Sequence, residues 1–399
     1  MKIPVISFFT GAGFLDMGFE ATDFDVVWTN EINPMFADMY EFAVNAWQKS
    51  LGINDSLAII SSRKSITELF ARDVLNEAFP GGSPELFGVI GGPPCPDFSI
   101  RGKNKGANGA HGRLSRIFID MVCEIKPTFF VMENVPGLYK TKRHRWFLNR
   151  LISQVERAGY VVDLNILNAL EFGAPQDRQR LFLIGFSRKF FKSKTGKGIG
   201  RFRDGWFCWP SARYAEAKTL PWPKTDPFGL TPMKPDRIPI ELTVFPLLYS
   251  EPHPTELPNG KEFFNAYSGK FWQIAEGDVS HSSFKRLHRY RYSPTACYGN
   301  NEVHLHPSEP RRLSVREALR IQAAPDEYVL PPEYPLSSKF KMISNGVPYI
   351  MANELAKSLV SFLDSLETPE DCICKILERS GRIKGEWSIT SKQLAISMK

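Results

Sequence analysis

Cysteine is scarce in this chain and never forms a Cys-x-x-Cys pair. Its six copies stand at positions 95, 123, 208, 297, 372 and 374. Cys372 and Cys374 read as two ordinary thiols in a helical tail, with metal binding as the other reading. The absence of any Cys-x-x-Cys excludes the common structural zinc and dithiol patterns. The 399 residues suffice for a sizeable core without disulfides, so a reducing compartment is expected. No apolar run approaches the ~18 residues that a membrane-spanning helix needs. The stretch from Ile3 to Phe9 is too short for a secretory signal and runs straight into glycines. These absences predict a soluble, cytoplasmic protein with no membrane contact. Acidic residues are the minority charge: 43 Asp and Glu face 50 Lys and Arg, for a net charge of +7. That balance favours anionic partners, nucleic acid above all. Internal repeats are also lacking, which excludes a solenoid.

What is present begins with alternation. Strand candidates at Pro4–Phe9, Asp25–Trp28, Leu86–Ile90, Thr128–Met132, Val161–Leu167 and Arg180–Phe186 are separated by amphipathic stretches such as Met35–Trp47, Arg116–Ile125 and Trp146–Ala158. The pattern predicts an α/β fold, a mostly parallel sheet with helices on both faces. After Ser187 the texture changes. Residues 188–203 hold seven Lys or Arg and no acid, and 208–258 is rich in proline and tryptophan. The expected organisation is a catalytic domain over 1–187, completed by 343–366. A smaller, strand-poor domain over 188–342 and a C-terminal extension over 367–399 make up the rest.

Four elements carry chemistry. The first is FFTGAGFLDMGFE at 8–20, which follows the first strand and opens a helix. Gly11 and Gly13 allow a tight turn against a ligand at the helix start. The third glycine of the dinucleotide fingerprint is missing, since Asp16 occupies its place, which argues against NAD and for a smaller adenosyl ligand. Glu31, at the end of the second strand, stands where an acid can bind ribose hydroxyls.

The second is GGPPCPDFS at 91–99, after an apolar strand. Three prolines flank Cys95 and restrict its backbone, which presents the thiol in a fixed direction. The third is MENVPG at 132–137, where Glu133 points into the same crevice as a possible proton donor; an acid capping the next helix is the other reading. The fourth is QDRQR at 176–180, where period two puts Gln176, Arg178 and Arg180 on one side of an extended segment. Two guanidinium groups there suit a phosphate or a carbonyl oxygen.

In this order, with RRLSVREALRIQAAPDEY at 311–328 and ISNGVPYIMANELA at 343–356, these blocks resemble the cytosine-5 DNA methyltransferase family over about 3–187 and 284–366. The resemblance implies a Rossmann-like fold dependent on S-adenosylmethionine, with a target-recognition domain across a cleft. It implies that Cys95 attacks carbon 6 of a flipped cytosine, that Glu133 holds ring nitrogen 3 and the exocyclic amine, and that Arg180 meets the carbonyl oxygen and Arg178 a backbone phosphate. Phe9, Thr10, Gly11, Gly13, Glu31, Ile32, Pro94, Leu114 and Asn345 then line the cofactor site. Ser65 stands where the family has an acid for the adenine amine, and Gly346 where many members have serine or alanine.

The glycine-rich, cationic run at 101–113 corresponds to the family's mobile closing loop. The basic stretches 188–203 and 285–292 read as nucleic-acid surfaces, with a solvated charged face as the other reading. The compact length suggests a monomeric bacterial or phage modification enzyme acting on double-stranded DNA beside a restriction endonuclease. An RNA cytosine methyltransferase and a non-catalytic DNA-binding scaffold are the alternatives.

Overall fold

The structure is a computed structural model that describes residues 2–53, 57–94, 110–196, 206–281, 283–298 and 302–366. Its centre is a six-stranded sheet made of β1 (Ile3–Phe8), β2 (Phe24–Asn30), β3 (Gly88–Gly91), β4 (Phe129–Asn134), β5 (Tyr160–Asn168) and β6 (Gln179–Ser187). The spatial order is β2-β1-β3-β4-β6-β5. β2, β1, β3 and β4 run parallel, while β6 is antiparallel to both β4 and β5. The chain leaves β1 for β2 on one side and returns to β3 on the other. A crevice therefore opens beyond the carboxyl ends of β1 and β3, the position at which open α/β sheets bind ligands.

The helices are α1 (Phe14–Glu20), α2 (Pro34–Ser50), α3 (Ala71–Ala78), α4 (Ala110–Ile125), α5 (Gly137–Lys140), α6 (Lys142–Arg157), α7 (Arg188–Thr195), α8 (Phe245–Tyr249), α9 (Lys270–Gln273), α10 (Val315–Ile321), α11 (Leu336–Asn345) and α12 (Tyr349–Ser365). Strand residues alternate between two cores. One face of the sheet packs Val131, Phe182 and Ile184 against Phe19, Met351, Leu355 and Leu359 of α1 and α12. The other packs Val89, Phe130 and Leu183 against Phe118, Val122, Phe147 and Leu151 of α4 and α6. α1 and α12 approach closely because Gly18 has no side chain; a Cβ there would stand 2.5 Å from that of Ala352.

Packing runs across the expected boundary at 187/188. Phe190 and Phe191 of α7, with Trp206 and Phe207, are buried in the same core as β6 and α12. At the other end, Val315, Leu319, Tyr328 and Phe340 pack on Phe14, Met17 and Tyr40. The stretch from about 210 to 312 adds a two-stranded parallel pair, β7 (Phe284–Arg286) and β8 (Val303–Leu305), and three modest clusters, two of which reach outside it to Leu170 and to Leu313 and Ile321. Its strand-poor character among the described residues matches its proline content.

Candidate functional site

Three left-handed residues shape the turn after β1: Phe9 at φ 59°, Gly11 at 53° and Gly13 at 72°. For phenylalanine that conformation is costly, of order 1–3 kcal/mol, and is held by surrounding structure. Thr10 N–H donates to Asn30 O at 3.1 Å and Gly13 N–H to Thr10 O at 2.8 Å, which ties the turn to the end of β2. Glu31 completes it. Its carboxylate accepts from Gly11 N–H at 3.1 Å and from Asn33 N–H at 2.8 Å. Burial raises the Glu31 pKa, and these backbone donors offset part of the rise. The next residue, Ile32, is 58% exposed, an unusual setting for isoleucine beside a buried carboxylate.

Of the remaining expected cofactor residues, Ser65 and Asn345 lie on segments tied to the elements around this turn. Asn30 Nδ2 donates to the carbonyls of Ser62 and Lys64, both at 2.9 Å, so the loop carrying Ser65 hangs from the end of β2. Ser65 itself caps a 3-10 turn at Ile66–Glu68, its hydroxyl accepting from Thr67 N–H at 3.3 Å. Asn345 is the exposed last residue of α11, and a Cβ on Gly346 would stand 2.5 Å from the Phe14 ring at the start of α1. Leu114 is half-buried on α4 and Pro94 is exposed at the end of the loop after β3.

Glu133 lies at the crevice end of β4. Its Oε1 pairs with Arg180 Nε at 2.8 Å, both side chains nearly buried. Burial pushes the Glu133 pKa up, with the Arg180 and Arg178 charges pulling against it. A Cβ on Gly92 would stand 2.9 Å from Glu133 Oε2, and Asn134 Nδ2 donates to Pro93 O at 3.4 Å. The chain leading to position 95 therefore runs directly over the carboxylate. Cys95 lies outside the described residues, as do 101–109 of the expected closing loop.

Arg178 departs from expectation. It is fully buried, and its guanidinium donates to the carbonyls of Ala296 at 3.1 Å, Ser344 at 2.6 Å and Gly346 at 2.8 Å. A group spent on three carbonyls does not meet a phosphate. Gln176 is buried beside it, donating to Ile321 O at 3.0 Å and accepting from Ala296 N–H at 2.9 Å. Period two gave the side of the segment but not its depth.

The basic stretch 285–292 is corrected likewise. Arg286 is buried and donates to the carbonyls of Phe271, Ile274, His306 and Glu309. Arg289 pairs with Glu276 at 2.8 Å. The exposed Cys297, whose electrostatic neighbours include Arg178 and Arg180, was missed; no local motif marks it.

A turn, a pinned carboxylate and a carboxylate–guanidinium pair lie at one end of an open α/β sheet, where such folds place a ligand-binding enzyme site. The comparisons fix the family. The model of C-5 cytosine-specific DNA methylases matches residues 3–361, and the chain belongs to that family. It is similar to the type II methyltransferase M.NmeDI of Neisseria meningitidis serogroup C, at 40% identity over 91% of this chain and 85% of that one. With M.MthTI of Methanothermobacter thermautotrophicus it shares 28% identity over 92% and 99%. Among solved structures, the Dnmt2 methyltransferase of S. pombe shares the fold at a TM-score of 0.56 and 12% identity, over 91% of this chain and all of that one. The protein is a DNA (cytosine-5-)-methyltransferase. No helix among the described residues is long and apolar enough to cross a membrane.

Proposed function

We propose that the protein methylates carbon 5 of a cytosine held against Glu133 and Arg180, within a short duplex DNA sequence, as the modification half of a restriction–modification pair. The observation that carries this reading is the Glu133–Arg180 pair, a buried acid with a raised pKa held 2.8 Å from a fixed guanidinium. The Glu133 carboxyl is placed to hold ring nitrogen 3 and the exocyclic amine as charge develops there, while the guanidinium meets the carbonyl oxygen. Cys95 is the proposed nucleophile: its thiolate bonds to carbon 6, and carbon 5 becomes electron-rich enough to take a methyl group. A base is unreachable in the stacked duplex, so it is extruded at a cost of a few kcal/mol.

The donor proposed is S-adenosylmethionine, which supplies an electrophilic methyl when bound. The turn at Phe9–Gly13 fits such a group. Thr10 Oγ1 is buried there without a hydrogen-bond partner, and a Cβ on Gly11 would meet no heavy atom nearer than Phe9 O at 3.9 Å. Glu31 would hold the ribose hydroxyls and Ile32 the base, with Ser65, Leu114, Pro94 and Asn345 completing the walls. Glu133→Gln tests the core of the reading. Turnover on duplex DNA should fall by at least about a hundredfold while cofactor affinity changes little. Loss confined to cofactor binding would move Glu133 out of the base pocket. Bisulfite sequencing of DNA from expressing cells reads the target; a labelled product in transfer RNA instead would overturn the DNA assignment.

A further inference from the structure

Between Val135 and Val155 the chain carries Lys140, Lys142, Arg143, Arg145 and Arg150, and no Asp or Glu. Topology sets the first of these beside the site. β4 ends at Asn134 at the crevice end of the sheet, and α5 and the first turn of α6 follow at once. Lys140 Nζ donates to Gln179 Oε1 at 2.7 Å, and Gln179 directly precedes Arg180. From there α6 runs back along the sheet towards Tyr160, which pairs with Ser187 at the far end.

One side of α6 is core, with His144, Phe147, Leu148, Leu151 and Val155 buried. The opposite side exposes Lys142, Arg143, Trp146 and Arg150. Arg143, Trp146 and Arg150 fall on one stripe by helical spacing. The Arg150 guanidinium lies 4.8 Å over the Trp146 ring, which is 51% exposed. Lys142 and Arg143 do not help the free helix. Its first turn has no acid, and cations there oppose the macrodipole, at about 0.3–1 kcal/mol each. Sequence choices that break a local rule without a folding benefit mark functional surfaces.

We propose that Lys142, Arg143 and Arg150, with Trp146 between them, form a face that tracks the phosphates of the DNA flanking the target cytosine. The inference rests on the family's action on DNA and adds a contact surface to it. From Arg143 to Arg150 the helix rises about 10 Å, close to three steps of one DNA strand. The cations of α7 make the contrast. Lys189, Lys192 and Lys194 follow the carboxyl end of β6, which is antiparallel to β4 and so lies away from Glu133. Net charge alone does not distinguish the two helices; position does.

The test compares two full-length triple variants of equal charge change, Lys142→Gln/Arg143→Gln/Arg150→Gln and Lys189→Gln/Lys192→Gln/Lys194→Gln. Duplex affinity is measured across salt concentrations, alongside S-adenosylmethionine affinity, melting temperature and the methylated site. Each lost phosphate contact lowers the slope of log affinity against log salt by about 0.9. The α6 variant should lose about two to three units of slope with cofactor binding, melting and target unchanged. The α7 variant should keep the wild-type slope. If the α6 triple melts early, Lys142→Gln and Arg150→Gln singly should each remove about 0.9. Equal slopes in the wild type and the α6 variants, or equal losses from both helices, would overturn the proposal while leaving the methylation reading intact.

Discussion

Two buried carboxyls near the turn after β1 illustrate how single residues carry both structure and pH response. Asp16 takes the position of the missing third glycine. It accepts from Ser7 Oγ at 2.6 Å and Tyr40 OH at 3.1 Å, and burial raises its pKa to about 7. Glu20, one turn on, is raised to about 7 by the same cause and accepts from Gln48 Nε2 at 2.9 Å. A carboxyl whose folded pKa exceeds its unfolded one keeps its proton longer in the native state. Between about pH 4 and 7 the native protein binds more protons than the unfolded chain, so this pair lowers stability as pH rises. Asp16→Asn removes one such titration. The melting temperature of that variant, relative to wild type, should climb as pH goes from 5 to 8. A difference that stays flat or falls with pH would show that Asp16 is ionised throughout. The residue types at Glu133 and Arg180 were legible because β4 and β6 are short apolar runs with one charge at the crevice end. The orphan Thr10 hydroxyl was not, since burial of a hydroxyl depends on a turn that sequence does not draw.

At the scale of elements, the six strands stand within a few residues of the apolar runs that predicted them. Alternation of side chains and abrupt polar ends mark a strand whatever packs on it. The segment before β6 is the counterexample. Arg178 reaches Ala296 and Ser344, which are 118 and 166 residues away, so nothing local reveals that its charge is interior. It joins three pieces: the strand entering β6, the 293–298 segment, and the end of α11 that carries Asn345. Arg178→Lys should therefore act as a packing lesion. Lysine cannot reach three carbonyls from one planar fork, and each abandoned buried carbonyl costs about 1–3 kcal/mol. A fall in melting temperature of several degrees and weaker cofactor binding are expected, with the salt slope of DNA affinity unchanged. A reduced slope with normal stability would restore the phosphate contact read from the sequence.

For the whole molecule, the sheet and its helices pack with α10–α12 in shared cores, and about 210–312 holds none of the residues proposed for the cofactor site and none of Glu133, Arg180 and Cys95. Discrimination between DNA sequences is proposed to reside there, through base-edge contacts worth about 1–3 kcal/mol each. Exchanging that segment for its counterpart from a related methyltransferase should transfer the donor's target, read by sequencing methylated cytosines. An active chimera that keeps the original target would place recognition elsewhere. Packing across 187/188 was not legible because α7 wears its lysines outward and hides its phenylalanines, a depth that composition does not report.

The nucleophile is the point on which the catalytic reading turns, and the exposed Cys297 near Arg178 and Arg180 supplies a rival thiol. Incubation with cofactor and duplex DNA bearing 5-fluorocytosine at the target decides between them, because fluorine blocks the final elimination and preserves the adduct. Peptide mass spectrometry should find the nucleotide on Cys95, with Cys95→Ser giving no adduct and Cys297→Ser giving as much as wild type. An adduct on Cys297, or one that survives Cys95→Ser, would contradict the assignment.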